Sequence, residues 1–196
     1  MKNKQATQKG LVKRPVDVSE LEKMMPEEFD PKIPEDHFIA EYDEGALTDI
    51  MDQQQLLIDT MKKFGKTKHL ANRILIVFDD LVGSSLFNGG KQNPFKILNT
   101  NHRHYSTSIL MVSQAYKEIL KTVRTQFSCL IVFEIPNENE VKAIYEENPV
   151  GLKYPDWIQM YNFCTEGEHN FMFINYQAKK SMRIMKNFSE YVFFKK

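Results

Sequence analysis

The hydrophobic residues of this chain alternate between short, largely apolar runs and longer stretches with helical spacing. The clearest runs are ILIVF at 74–78, SILMV at 108–112 and CLIVFEI at 129–135. Runs rich in branched and aromatic side chains are typical of strands buried on both faces, as in the middle of a parallel sheet. The sequence therefore predicts three buried strands.

Amphipathic helices are predicted before, between and after these runs. Residues 46–64 carry apolar side chains at helical spacing, and Gly65 marks a natural end. Further helices are predicted at 94–101, at 115–124, over NEVKAIYEE after the capping residue Asn137, and around Trp157. Because strands separated by helices favour βαβ units, we expect an α/β fold with a largely parallel sheet.

The two ends of the chain differ from this middle part. Residues 1–36 are rich in Lys, Glu, Asp and Pro, so we expect a partly ordered N-terminal arm, with one short helix over VSELEKMM, before a core at 37–196. HFIAEY at 37–42 is predicted to be a short strand. NFMFINY and MRIMKNF, which follow Gly167, are predicted to form a terminal strand pair.

Composition narrows the function classes without selecting one. The 196 residues fit one domain with a sizeable core, and 26 basic residues balance 26 acidic ones, so any contact with DNA must be local. No apolar run is long enough to span a membrane, and the N-terminus lacks the apolar segment of a secretory signal, so we expect a soluble, intracellular protein. Cys129 and Cys164 have apolar neighbours and are predicted to be buried, reduced thiols.

Chemistry-bearing residues follow the first two buried strands. Asp79 and Asp80 come directly after ILIVF, and Gln114 follows SILMV and Ser113. Ligands of α/β sheets bind at the carboxyl ends of the strands. There, one acid can hold Mg²⁺ through its water shell, a second can orient or deprotonate an attacking water, and an amide can sense a phosphate. An ordinary acidic turn and a loop glutamine are the structural alternative.

Three segments together resemble the packaging ATPases of large DNA viruses, the poxvirus-type branch of the FtsK–HerA superfamily: ILIVFDDL, NTNHRHYSTSILMVSQAYKEILKTVR and IPNENEVKAIYEE. The similarity extends over about residues 38–150 and includes the helix with QQQLLI. It implies a P-loop ATPase-like, RecA-like three-layer sandwich that uses ATP and Mg²⁺. It also implies translocation of double-stranded DNA through a homo-oligomeric ring, in the host cytoplasm, the viral factory or the virion.

The resemblance assigns the acidic and amide side chains to established motifs. Asp79 matches the Walker B acid that holds Mg²⁺ through water, and Asp80 matches the acid that activates the attacking water. Gln114 matches the sensor glutamine at the end of the next strand. Under the resemblance, all three belong to the nucleotide site.

Basic residues are matched as well. Arg103 and His104 match an Arg-His pair before the second strand, and Arg124 matches an arginine in the helix after it. We consider Arg124 first, and Arg103 second, as the residue that reaches the γ-phosphate of a neighbouring protomer; a solvated or salt-bridged arginine is the alternative. The spacing of His102 and His104 is compatible with a metal site, although no third ligand stands at a suitable spacing.

The chain departs from the family because it lacks the phosphate loop GxxxxGK[ST] ahead of Walker B. Gly65-Lys66-Thr67 follows a helical pattern and has Thr60 where the first glycine belongs, and Gly89-Gly90-Lys91 is interpreted as a flexible turn. The resemblance thus implies a sheet without its P-loop strand. Three explanations stay open: a C-terminal fragment, an N-terminal half supplied by another polypeptide, or a degenerate paralogue.

Three function hypotheses follow from the sequence. The first is an ATP-driven genome-packaging ATPase, for which this chain provides the Walker B and sensor half and is inactive alone. The second is a non-catalytic assembly or regulatory subunit that keeps the scaffold and binds no nucleotide. The third is an unrelated P-loop-like nuclease or transferase subunit. Binding of ATP with Mg²⁺ separates the first two.

Overall fold

The computed structural model describes residues 11–15, 37–65, 73–80, 85–87, 90 and 93–194. The described residues belong to two compact units. The first comprises the described residues within 37–126, and the second combines 11–15 with 127–194. The helix predicted over VSELEKMM lies outside the described residues.

The elements alternate between strands and helices over most of the chain. In order they are β1 (Leu11–Pro15), α1 (Glu44–Lys63), β2 (Ile74–Asp79), α2 (Pro94–Asn101), β3 (Thr107–Val112), α3 (Lys121–Arg124), β4 (Cys129–Val132), α4 (Glu138–Glu147), α5 (Tyr154–Thr165), β5 (Met172–Asn175), β6 (Ile184–Lys186) and β7 (Glu190–Phe194). Short 3₁₀ turns cover Ser85–Phe87, Tyr116–Glu118 and Lys180–Met182.

The first unit contains the predicted βαβ arrangement. β2 and β3 pair in parallel, with the register running from Ile74 opposite Thr107 to Asp79 opposite Val112, so the carboxyl ends of the two strands coincide. α2 stands between them in the sequence, as a parallel connection requires. The strands predicted at 74–78 and 108–112 and the helices predicted at 46–64 and 94–101 are confirmed.

Both long helices of this unit begin at a capping side chain. Asp43 Oδ1 accepts hydrogen bonds from the backbone N–H groups of Gly45 at 2.7 Å and Ala46 at 3.1 Å, at the start of α1. At the start of α2, Asn93 Oδ1 accepts from Lys96 N at 3.1 Å. The Asn93 amide also donates to the Leu86 carbonyl at 3.3 Å, and Asn93 is buried. Asn93 therefore joins the 3₁₀ turn to the start of α2.

Only one face of the β2–β3 pair is packed. Phe78 on β2 is buried and meets Phe95 on α2 edge-on, with 5.1 Å between the ring centroids. The hydrophobic side chains on the opposite face are between 44% and 61% exposed: Leu75, Val77, Leu110 and Val112. The expectation that these strands are buried on both faces is wrong for the described residues. No described helix or strand covers the second face.

The second unit is built on an antiparallel sheet. Its five strands lie in the order β1-β7-β6-β5-β4. β4 was predicted as a third parallel strand, yet it pairs antiparallel with β5. Two helices, α4 and α5, stand between these strands in the sequence. A single helix returns the chain to the start of a parallel strand, whereas a second helix brings it to the other end, so that β5 runs antiparallel to β4. An α/β fold with a parallel pair is confirmed, whereas the largely parallel sheet is wrong for the described strands.

The predicted terminal strand pair is confirmed in this unit. β5 and β6 are antiparallel neighbours, and β7 extends the sheet beyond β6. Asn137 caps α4 as expected, accepting from Asn139 N at 2.9 Å.

The Tyr161 side chain connects α5 to the chain after β4. Trp157 is fully buried and stacks on Tyr161 with 5.6 Å between the ring centroids. The Tyr161 hydroxyl accepts from Ile135 N at 2.8 Å and donates to the Phe133 carbonyl at 3.2 Å. The backbone after β4 therefore finds its partners on a helix side chain instead of on a neighbouring strand, which is why the strand predicted at 129–135 ends at Val132.

Two further local predictions are wrong. Residues 37–42 form no strand, and Phe38 and Ile39 are exposed, since no neighbouring strand pairs with this segment in the described structure. The single helix predicted at 115–124 is divided into the 3₁₀ turn at Tyr116–Glu118 and the short helix α3. Extended backbone at Ile119 and Leu120 separates the two.

The two cysteines differ in burial. Cys164 on α5 is fully buried, as predicted, and burial raises the pKa of its thiol to about 12. Cys129, at the start of β4, is exposed, so the prediction of two buried thiols is wrong for this residue. Partial desolvation of the Cys129 sulfur still raises the pKa of that thiol.

Candidate functional site

The candidate site lies where β2 and β3 end. Asp79 is the last residue of β2, Asp80 follows it, and Gln114 comes two residues after the end of β3. The Gln114 Nε2 atom donates toward Asp80 Oδ1 at 3.5 Å. The parallel register thus brings together two side chains that are 34 residues apart in the sequence.

The backbone at each strand end directs these side chains. Asp80 has φ 48°, in the left-handed region that turns the chain sharply after the strand. On β3, the Ser113 hydroxyl donates to the Ala115 carbonyl at 3.1 Å and accepts from Ala115 N at 3.3 Å, a local turn that encloses Gln114. Asp80 and Gln114 are therefore presented at the edge by two tight turns.

The acids are accessible to a hydrated cation. Asp79 and Asp80 are both exposed, as is Gln114. Mg²⁺ in phosphoryl-transfer sites is held by one or two carboxylates together with water and substrate phosphates. In the part of the chain that the structure describes, no group of three or more His, Cys, Asp or Glu side chains is placed to hold a metal ion. The donor set thus fits a Mg²⁺ ion shared with a phosphate ligand and does not amount to a metal cage.

Of the glycines that resemble a phosphate loop, Gly65 lies at the carboxyl end of a helix, where a phosphate cradle is not expected. Gly65 follows the carboxyl end of α1, and its N–H is bonded to the Lys62 carbonyl at 3.0 Å. The carboxyl end of a helix carries partial negative charge and disfavours anions. Gly90 is exposed, while Lys66, Thr67, Gly89 and Lys91 lie outside the described residues. The interpretation of Gly65 as a false match is supported by its position on a helix end.

Arg103 and His104 lie at the other end of the sheet. They precede β3 in a turn whose last residue, Ser106, accepts from Ile74 N at the start of β2. A six-residue strand separates this end from Gln114, and at about 3.3 Å per residue the distance is roughly 20 Å. Arg103 and His104 are exposed. The structure therefore does not bring either residue to the acid pair of its own chain.

His102 does not join His104 in a metal site. The Nδ1 atom of His102 lies 3.0 Å from the Asn99 carbonyl, which places its ring against α2. His104 is exposed, and the described residues provide no third ligand.

Arg124 is bound to its own chain. Its Nη1 atom donates to the carbonyls of Tyr116 at 3.3 Å and Lys117 at 3.2 Å, and also to that of Ile119. Its guanidinium carbon lies 4.8 Å from the centroid of the Tyr116 ring. The sequence spacing of Tyr116 and Arg124 suits opposite ends of one continuous helix, so this packing could not be anticipated from the helical pattern.

The described part of the chain contains no helix that combines the length and hydrophobicity needed to cross a lipid bilayer.

Comparison with known proteins places these features in a family. A family model described as poxvirus A32 protein matches residues 19–186. This range includes Asp79, Asp80, Arg103, Gln114 and Arg124. A search of curated proteins found no match.

Among solved structures, the chain is similar to the genome packaging NTPase B204 from Sulfolobus turreted icosahedral virus 2, solved in complex with AMPPCP. The sequence identity is 15% and the TM-score is 0.47. The similar region covers 74% of this chain and 60% of that chain, so this chain spans less than two thirds of its length. The family match, which extends over most of the sequence, shows that the chain belongs to the poxvirus A32 protein family.

Proposed function

We propose that this chain acts in ATP-driven packaging of viral DNA and contributes the acid pair and glutamine that promote ATP hydrolysis. The observation that carries the proposal is the approach of Gln114 to Asp80 at the shared carboxyl edge of β2 and β3. Membership of the poxvirus A32 family supports it. The similar B204 protein is itself a genome packaging NTPase solved with AMPPCP.

Each of the three side chains has a distinct task in this proposal. Asp79, at the end of β2, holds the water shell of Mg²⁺, which when bound offsets the charge of the nucleotide phosphates. Asp80 orients the attacking water and accepts its proton. Gln114 donates to Asp80 in the described structure and would exchange this bond for one to a phosphate oxygen when a nucleotide binds. Hydrolysis would thereby change the position of the chain that follows β3.

Double-stranded DNA and a homo-oligomeric ring complete the proposal. The balanced charge of the chain means that a DNA contact must come from local basic groups. Arg103 is exposed at the amino ends of the strands, where it is free of the acid pair of its own chain. A ring would bring this edge within reach of a neighbouring protomer. The viral factory or the virion is the corresponding location.

A non-catalytic assembly subunit is the second candidate, and one specific observation favours it. The sequence contains no GxxxxGK[ST], and its GKT string begins at a helix carboxyl end that disfavours phosphate. A chain of this kind would keep the α/β scaffold and its exposed acids without binding a nucleotide. The two candidates predict opposite results in a binding experiment.

The test is ATP binding and hydrolysis by the full chain with Mg²⁺, at millimolar ATP, with and without double-stranded DNA. We expect weak, Mg²⁺-dependent binding, because the sequence contains no GxxxxGK[ST] loop to cradle the phosphates. In place of the inactivity expected from the sequence alone, we expect slow hydrolysis that DNA accelerates, because Asp80 and Gln114 already lie together. Asp79→Asn should weaken the dependence on Mg²⁺. The matched control is Asp52→Asn, an exposed acid on α1. Absence of Mg²⁺-dependent binding would favour the non-catalytic subunit.

A further inference from the structure

The segment between β3 and α3 is held from both of its ends. At its start, the Ser113 hydroxyl forms the local turn with Ala115. At its end, Arg124 binds the carbonyls of the segment itself. Gln114 lies within this segment, directly before the part that Arg124 binds. The position of Gln114 therefore depends on contacts beyond its own strand.

One nitrogen of the Arg124 side chain binds several carbonyls of the segment before α3. Nη1 carries two hydrogens, which the carbonyls of Tyr116, Lys117 and Ile119 share as acceptors. These three carbonyls share one donor because non-helical backbone at Ile119 and Leu120 separates the 3₁₀ turn from α3. In a regular helix the same carbonyls would lie parallel to the axis and accept from backbone N–H groups of the next turn. The break in the predicted helix therefore creates the binding site for the guanidinium.

Burial of neighbouring side chains fixes the position of the segment that Arg124 binds. Tyr116, Ile119 and Val123 are 8%, 6% and 2% exposed, so the segment and α3 are both anchored in the core of their unit. The guanidinium lies over the face of the Tyr116 ring, where attraction to the π electrons adds to the hydrogen bonds. Nη1 of Arg124 is thus bound within the chain that carries it, and is not presented to a neighbouring protomer.

We infer that Arg124 is a positioning residue, which fixes the chain after β3 so that Gln114 faces Asp80. This inference rests on the proposed function only for the consequence in hydrolysis; the contacts themselves belong to one unit of one chain. It differs from the interpretation of Arg124 as a residue that acts on the phosphate of a neighbouring protomer. If this inference is correct, loss of Arg124 lets Gln114 move but removes no side chain from the carboxyl ends of β2 and β3.

Hydrogen exchange of the full-length protein tests the inference without requiring ATPase activity. In Arg124→Ala, we expect the backbone amides of 114–120 to exchange about tenfold faster or more, while amides of α1 and β2 keep their wild-type rates. The side-chain amide resonance of Gln114 should shift in the same variant. Arg124→Lys keeps the positive charge and N–H donors in a compact ammonium group, without the planar guanidinium, and should restore part of the protection. It also serves as the variant to measure should the alanine protein not fold.

Arg103→Ala is the matched control, because it removes an exposed arginine from the opposite end of β3. We expect it to leave the exchange of 114–120 and the Gln114 resonance unchanged. Unchanged exchange in Arg124→Ala would overturn the inference. Faster exchange throughout 37–126, with the Gln114 resonance unmoved, would also overturn it, since that result describes general destabilisation. Failure of the wild-type protein to bind ATP would contradict the proposed function and leave these measurements valid.

Discussion

Gln114 and Asp80 meet across the ends of two parallel strands, with Gln114 Nε2 3.5 Å from Asp80 Oδ1. The contact exists because β2 and β3 run in the same direction and end at the same level, Asp79 lying opposite Val112. A shift of the register by one residue would turn every side chain of a strand to the other face. The pair therefore depends on the packing of Phe78 as much as on its own hydrogen bond.

The left-handed backbone at Asp80 gives the first prediction. Among non-glycine residues Asp and Asn tolerate φ 48° best, and glycine adopts it most easily. We expect Asp80→Asn to leave the free energy of unfolding in urea within about 0.5 kcal/mol of wild type, and Asp80→Val to lower it by about 1–2 kcal/mol. Asp80→Gly should be neutral or stabilising. The control is Asp52→Gly, which places glycine inside α1 and should lower the free energy of unfolding by about 0.5–1 kcal/mol.

Two helix caps provide a matched pair of variants. Asn93 caps α2 and is buried, with a further hydrogen bond to the Leu86 carbonyl, whereas Asn137 caps α4 and is exposed. We expect Asn93→Ala to lower the free energy of unfolding by about 2–3 kcal/mol, because it leaves buried groups unsatisfied. Asn137→Ala should cost about 0.5–1 kcal/mol. Equal losses in urea titrations of the two variants would contradict the structural role assigned to Asn93.

The cysteines give a prediction about chemical access. A maleimide at pH 8 should modify Cys129 in the folded protein and leave Cys164 protected, because Cys164 is fully buried. Mass spectrometry of the wild-type protein, Cys129→Ser and Cys164→Ser would assign the label. Cys129→Ser should remain unlabelled until urea unfolds it. Rapid labelling of Cys164 under native conditions would show that α5 is packed differently.

Cys164 also predicts how stability responds to alkaline pH. Burial raises the pKa of its thiol from 9.0 to about 12, so the folded protein retains a proton that the unfolded chain loses. Its contribution to stability is complete below pH 9 and is lost as the pH rises towards 12. The slope reaches at most about 1.4 kcal/mol per pH unit. Cys164→Ser should show a shallower decline between pH 9 and 10.5 in urea titrations than wild type; an identical slope would contradict the burial.

The sequence predicted the parts of this protein that depend on local pattern. Continuous apolar runs located β2 and β3, and the polar residues that follow them located the edge where Asp80 and Gln114 meet. The pairing of these two residues followed from a general property of parallel strands, namely that their carboxyl ends share one edge. This property does not depend on side-chain packing.

Elements that depend on tertiary partners were less predictable. Tyr116, Ile119 and Val123 have helical spacing, but a 3₁₀ turn followed by α3 buries the same three side chains. The direction of β4 depends on whether one or two helices intervene before β5, which hydrophobic periodicity does not report. Phe38 shows the same limit, since a segment with strand composition forms no strand where nothing pairs with it.

The contacts of Arg124 could not be predicted from the sequence for a related reason. A helical pattern presents an arginine on a surface, available to solvent or to a partner protein. Only the broken backbone at Ile119 and Leu120 shows that the side chain turns back to bind carbonyl groups of its own chain. The sequence was sufficient to select Arg124 as a candidate residue. Its contacts depend on the path of the backbone, which the sequence pattern did not predict.

The most direct test of the central claim is a double-mutant cycle between Asp80→Asn and Gln114→Ala, with hydrolysis of millimolar Mg·ATP by the full chain as the readout. If the pair acts as one unit, each single variant should lose about 100-fold or more in rate, and the double variant should lose no more than the worse single one. Gln126→Ala, which removes an exposed glutamine from the same unit, should retain wild-type activity. Independent, multiplicative losses, or hydrolysis that survives Asp80→Asn, would contradict the account.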